Sequence, residues 1–171
     1  FIIDEGNVKS ILEAARWAPS CFGDQPWKFV IFQKKDALQW VNALNCLSVG
    51  NQNWAMDTSL LICVCANKKF KHNDNENKWS QYDTGAASEN ICLQSTYLGL
   101  AAHQMGGFDS DKIRNLANIP VEFDVMSFIA VGKPLAKKLM TIEQAEAEGS
   151  ARKRLKLNEI YFENKWDNFE G

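Results

Sequence analysis

The stretch Ala15-Arg16-Trp17-Ala18-Pro19-Ser20-Cys21-Phe22-Gly23-Asp24-Gln25-Pro26-Trp27-Lys28-Phe29 decides how the chain is read. Upstream of it, Val8, Ile11, Leu12 and Ala15 fall at i, i+3, i+4 and i+7, which predicts an amphipathic helix opening near Asp4 or Asn7. Proline cannot continue that helix, so it ends before Pro19. At Lys28 an alternating strand pattern begins. The short polar turn between them gathers a hydroxyl, bared backbone and an amide, a grouping suited to a polar ligand. Ser20 and Gln25 are the side chains it is predicted to expose.

Outward from this turn, Lys28 to Phe32 reads as a strand, and Lys35 to Leu47 as a helix with Leu38, Val41 and Leu44 inward. Ser59 to Ala66 is an apolar run of strand length, predicted to be buried. Asn67 to Lys78, rich in Lys, Asn and Asp, is predicted to be a mobile surface loop. From about Asp83 to Gly99, Ala86, Ala87, Asn90, Ile91, Gln94, Tyr97 and Leu98 mark a long helix whose small residues allow a neighbour to pack closely. A shorter helix over Ser110 to Asn118, stopped by Pro120, precedes a strand over Val125 to Val131. The tail is polar and partly helical to Ser150, then basic at Arg152-Lys153-Arg154, then aromatic at Tyr161, Phe162 and Trp166. Apolar residues at a chain end must be covered by something, which predicts a homodimer.

The 171 residues are 46% hydrophobic, enough for a core, and their length favours one domain over residues 1–171. A formal net charge of −2 provides no general attraction to nucleic acid or to an anionic membrane. The longest apolar run, Leu60 to Ala66, is too short to cross a bilayer, and no signal pattern opens the chain. Five cysteines show neither metal spacing nor an even-numbered disulfide framework, and no N-glycosylation sequon is present. A soluble cytoplasmic protein with reduced thiols is the expectation.

Ala-Pro-Ser at 18–20, a short turn, then Gln25-Pro26-Trp27 and an apolar strand resembles the flavin-binding motif of the nitroreductase family. Asp83-Thr84-Gly85-Ala86-Ala87 with Asn90, Leu98-Gly99-Leu100, Gly107-Phe108-Asp109 and Val131-Gly132-Lys133-Pro134 follow in the family's order, so the likeness spans nearly the whole chain. It implies an α+β fold with a mixed sheet flanked by helices, a C-terminal segment exchanged between protomers of a homodimer, and FMN at the interface. It also implies transient NADH or NADPH, hydride transfer through flavin N5, and ping-pong turnover with nitroaromatic, quinone-like or related small acceptors.

The resemblance implies flavin contacts at Ser20, Cys21, Gly23, Gln25, Asn51, Gly106, Gly107, Arg152 and Arg154. Most of them have a plainer alternative. Ser20 after a proline suits local turn capping, Asn51 suits a polar loop, Gly106-Gly107 suits a tight turn, and the arginines suit a solvated basic patch. Arg152 and Arg154, spaced to lie on one side of an extended segment, could converge on a phosphate. Asp83 reads as a helix-start residue, and His103 as a packed or capping histidine. No side chain is needed as a nucleophile, because a flavin carries its own chemistry. The chain departs from the family in having Gly23 where Asn is common and Gly106 where many members have Glu. It also lacks the Arg- and Ser-rich segment that precedes the first helix in the family, which implies a shortened chain or weaker phosphate binding. A flavin-binding protein without turnover, a reductive dehalogenase and a flavin-consuming enzyme remain as alternatives on the same scaffold.

Overall fold

The structure is a computed structural model that describes residues 1–166. It divides into two compact units, Phe1–Pro134 and a second beginning at Leu135. The first contains α1 (Glu5–Arg16), β1 (Trp27–Gln33), α2 (Ala37–Leu44), α3 (Val49–Ala55), β2 (Leu60–Asn67), α4 (Ser80–Tyr97), β3 (Ala101–Met105), α5 (Ser110–Leu116) and β4 (Phe123–Gly132). The second contains α6 (Ile142–Gly149) between two short 3-10 turns.

The four strands form one sheet in the order β1-β2-β4-β3. All three pairings are antiparallel, so among the described residues there is no parallel pairing of the kind a mixed sheet contains. β2 sits centrally and is buried on both sides, which is why its sequence is apolar without alternation. Leu60, Ile62 and Val64 meet α1 and α4 on one face, while Leu61, Cys63 and Cys65 meet α2, α3 and α5 on the other. Each such Leu, Ile or Val, fully buried, contributes about 1.5–3 kcal/mol. A bulge shifts the β2–β4 register between Val64 and Cys65, so Met126 packs with the first face and Val125 with the second.

α1 follows its sequence pattern: the Asp4 carboxylate caps it by accepting the Asn7 N–H, and Val8, Ile11 and Ala15 are buried. α2 does not. Leu38 and Val41 are 69% and 46% exposed, and the buried residues are Trp40 and Ala43. The indole takes the core position because it buries far more apolar area than either aliphatic side chain, and that rotates the helix away from the expected face. α3 has no counterpart among the expected helices, because its Gly50, Asn51 and Asn53 are poor helix formers and resemble a loop.

The segment expected to be a mobile loop is bound to its surroundings. Lys69 and Glu76 form an antiparallel bridge, the Phe70 N–H donates to the Asn75 carbonyl at 2.9 Å, and Asn77 is buried. In the second unit, Thr141 and Gln144 form a capping box on α6. No helix among the described residues is long and apolar enough to cross a membrane.

Candidate flavin-binding turns

The turn after Pro19 is held from three sides. Ser20 Oγ accepts the Gln25 N–H at 3.0 Å, the local capping bond foreseen for a serine here. A hydroxyl that accepts one bond keeps its own proton to donate, so this does not exhaust Ser20. The Asp83 carboxylate accepts the Cys21 N–H at 2.9 Å. Lys71 donates its backbone N–H to Asp24 Oδ1 at 2.9 Å and its ammonium to the carbonyls of Asp24 and Gln25.

These ties keep the backbone in a conformation that side chains disfavour. Phe22, Gly23 and Gln25 have φ of 56°, 65° and 49°. Glycine accepts that region freely, whereas for Phe22 and Gln25 it costs about 1–2 kcal/mol each. Ser20 and Cys21 are half-buried and Gly23 and Gln25 exposed, so of the two side chains expected to face outward Gln25 does, while Ser20 is drawn in by its bond to the Gln25 N–H.

A second cluster forms where residues 46–48 run beside 107–109. The Ser48 N–H donates to the Gly107 carbonyl at 2.9 Å, the Asp109 N–H to the Cys46 carbonyl at 2.7 Å, and Leu47 bridges to Phe108. Asn51, on α3, donates Nδ2 to the same Gly107 carbonyl at 2.9 Å. The structure therefore brings Asn51 and Gly107 together. A Cβ on Gly107 would lie 2.7 Å from Ser48 Oγ and 2.9 Å from Asn51 Nδ2, so a side chain here would force both to move, Asn51 away from the carbonyl it holds. Gly106 is exposed, with nothing within 4 Å of where a Cβ would lie.

Asp109 caps α5 by accepting the N–H groups of Asp111 and Lys112 at 3.1 and 3.0 Å. The Lys112 backbone bond is the main cause holding its carboxyl below the usual range. His103 packs edge-on against Trp54, with ring centroids 5.1 Å apart. Arg152 and Arg154 are exposed residues of the second unit, and Arg154 donates to the Lys153 carbonyl at 2.9 Å. Cys63 and Cys65 share one face of β2 with sulfurs 3.9 Å apart, and contact with Cys65 together with burial pushes the Cys63 thiol up. No group of His, Cys, Asp or Glu among the described residues is arranged to hold a metal.

Sequence reasoning missed Lys71, Ser48 and the use made of Asp83. Asp83 lies in the first turn of α4, but it is buried and spends its carboxylate on Cys21 instead of capping its own helix. Its signal was indirect: it opens one of the quoted motifs. Lys71 lay in a segment whose composition suggested only solvation.

The two turns lie at opposite edges of the sheet, one entering β1 and the other leaving β3. The chain belongs to the nitroreductase family, whose model matches residues 2–133. A protein of Archaeoglobus fulgidus named as a candidate NADH dehydrogenase/NAD(P)H nitroreductase is 29% identical over 140 residues, covering 80% of this chain and 77% of that protein. A crystal structure described as an oxidoreductase containing FMN is 30% identical, with a TM-score of 0.89 over 98% of this chain and 85% of the other. A nitroreductase family protein of Clostridium difficile, 22% identical, shares the fold with a TM-score of 0.72 over 97% of this chain and 90% of its own.

Proposed function

We propose that this chain is an FMN-dependent oxidoreductase, acting as a homodimer, that is reduced by NADH or NADPH and reduces nitroaromatic, quinone-like or related small acceptors. The observation that carries the reading is the 0.89 TM-score, at 30% identity, with an oxidoreductase containing FMN. Bound FMN would supply the redox chemistry, accepting a hydride from a nicotinamide donor and passing it to the acceptor, while the chain's own residues hold and orient it.

The residues present suit that cofactor. The Ser20 hydroxyl proton and the exposed Gln25 amide match the hydrogen-bonding needs of a ribityl chain and a pyrimidine edge. The Cys21 and Gly23 N–H groups are spent on the Asp83 carboxylate and the Ser20 carbonyl, which leaves close approach to the exposed Gly23 as their part in the contact. Gly106 presents its backbone without a side chain in the way, and Asn51 together with the Gly107 carbonyl it holds fixes that turn. Preorganised backbone donors at that turn would favour negative charge developing on a reduced ring. Arg152 and Arg154 are the cations that would hold the phosphate.

What a single copy leaves uncovered supports the dimer. α4 buries Ala87 and Ile91 against the sheet, while Tyr82 and Tyr97 on its other side are 78% and 84% exposed and Leu93 lies between them. Leu155, Leu157, Ile160 and Trp166 of the second unit are exposed as well. Surfaces of this kind mark association sites. The Pro19–Trp27 turn leads into edge strand β1 and the Gly106–Gly107 turn leaves edge strand β3, with β2 and β4 between them. Two copies would let the turn of one complete the glycine turn of the other, with the terminal segment exchanged. All five cysteines are free, which suits the reducing cytoplasm.

The test is to reconstitute the protein with FMN, remove excess, and record the visible spectrum and the sedimentation mass. Retained flavin on a dimer that bleaches with NADH or NADPH and recolours with a nitroaromatic supports the enzyme. Retained flavin that never bleaches would make it a binding protein, and a colourless protein removes both readings.

A further inference from the structure

The Phe22 ring is 80% exposed although its backbone is left-handed at φ 56°. Strain of this kind in a bulky residue is normally offset by burial or sustained for function. The ring is not part of the chain's core. Instead it meets Phe70 edge-to-face, centroids 5.7 Å apart at 73°, and His72 at 5.3 Å and 69°. Phe70 and His72 are themselves 5.3 Å apart and tilted by 48°.

The two segments that carry these rings are fixed to one another beneath them. Lys71, between Phe70 and His72, binds Asp24 and the carbonyls of Asp24 and Gln25, and Asp83 fixes Cys21 on the other side of Phe22. The rings are inclined to one another by 48–73°, so they form an aromatic corner on a rigid base, with the exposed Phe22 ring as the surface on which another planar ring can stack. It stands among Ser20, Cys21, Gly23 and Gln25, the residues assigned to the flavin.

Resting on that assignment, we propose that Phe22, Phe70 and His72 form a stacking shelf for the planar aromatic ring of the electron acceptor, and that the shelf sets a preference for aromatic over non-aromatic acceptors. An electron-poor nitroaromatic or quinone ring gains from the electron-rich faces of phenylalanine, whereas a small inorganic oxidant gains nothing there. The occupant is the acceptor, because the Lys71 ammonium beneath the rings is committed to the Asp24 and Gln25 carbonyls and leaves no cation of the shelf to grip the phosphates of a nicotinamide donor.

The experiment uses the FMN-loaded protein and compares Phe22→Ala, His72→Ala and Phe22→Trp with the parent. For each, kcat/KM is measured with 4-nitrobenzoate and with ferricyanide, the NADH dependence is measured separately, and the dimer dissociation constant is followed by sedimentation. Phe22→Ala is expected to lower the nitrobenzoate-to-ferricyanide ratio by about tenfold, His72→Ala by less, and Phe22→Trp is expected to keep the ratio within about threefold of the parent. An unchanged ratio in Phe22→Ala overturns the shelf. So does a change confined to the NADH dependence, which would give the rings to the donor, or weakened dimerisation at constant ratio, which would make them an interface between copies. A parent protein that holds no flavin overturns the underlying reading and the shelf with it, an outcome visible before any variant is made.

Discussion

The carboxylate of Asp83 accepts the backbone N–H of Cys21 at 2.9 Å, joining the first turn of α4 to the turn after Pro19. Both residues sit in stretches that resemble family motifs, and the bond gives a physical reason for them to occur together. Removing a charged acceptor from a partly buried N–H costs about 1.5–3 kcal/mol. Asp83→Ala is expected to lose that much stability in urea unfolding and to weaken FMN binding, because the turn loses its preset shape. Asp83→Asn keeps an acceptor oxygen and is expected to recover most of both. Equal losses in the two variants would show that the bond is not what matters.

Gly107 and Gly106 are adjacent yet should respond oppositely to a methyl group. Gly107→Ala drives a Cβ to 2.7 Å from Ser48 Oγ and 2.9 Å from Asn51 Nδ2, so a loss of about 1–3 kcal/mol is expected. Adding Ser48→Ala removes the closer clash and should return part of that loss, a coupling that a double-mutant cycle reads directly. Gly106→Ala meets nothing and should change stability by less than about 0.5 kcal/mol. Its effect should appear instead in flavin affinity, where the bared backbone is used.

Asp109 gives the fold a pH signature. Its carboxyl is held below the ordinary range chiefly by the Lys112 N–H, so the stabilisation is present above the unfolded carboxylate pKa and is lost as pH falls through the lower folded value. Thermal melts of Asp109→Ala and the parent should differ at neutral pH and converge in acid. A difference that persists below both values would assign the effect to packing.

Much of this was legible in the sequence where local chemistry agrees with tertiary packing. α1 and β2 follow from periodicity, a capping aspartate and an unbroken apolar run. What was not legible depends on partners far along the chain. α3 is made of weak helix formers and stands because Asn51 reaches Gly107 and Gln52 reaches the Leu47 carbonyl. The segment after β2 looks like solvated loop until Lys71 is seen against Asp24 and Gln25. α2 turned on a choice among apolar residues, Trp40 over Leu38 and Val41, that spacing alone does not make. Of the candidate contacts, Asn51 and Gly107 are joined directly, Ser20 and Gln25 are joined within one turn, and Arg152 and Arg154 belong to the second unit.

Replacing Arg152 and Arg154 together by Gln is expected to weaken FMN binding by at least tenfold if they clasp the phosphate, since charge-assisted bonds are about twice as strong as neutral ones. Riboflavin, which has no phosphate, should bind the parent and the variant alike. Isothermal titration with both ligands separates phosphate contact from general loss of affinity, and unchanged FMN affinity would return the arginines to the solvated surface.

The most direct test of the central claim is an anaerobic titration of the FMN-loaded protein with NADH and then NADPH, followed at the flavin absorption band. The account expects the band to bleach with at least one donor, one equivalent per bound flavin, and to return on addition of a nitroaromatic. A protein that retains FMN but keeps its full absorbance in excess of both donors would contradict it.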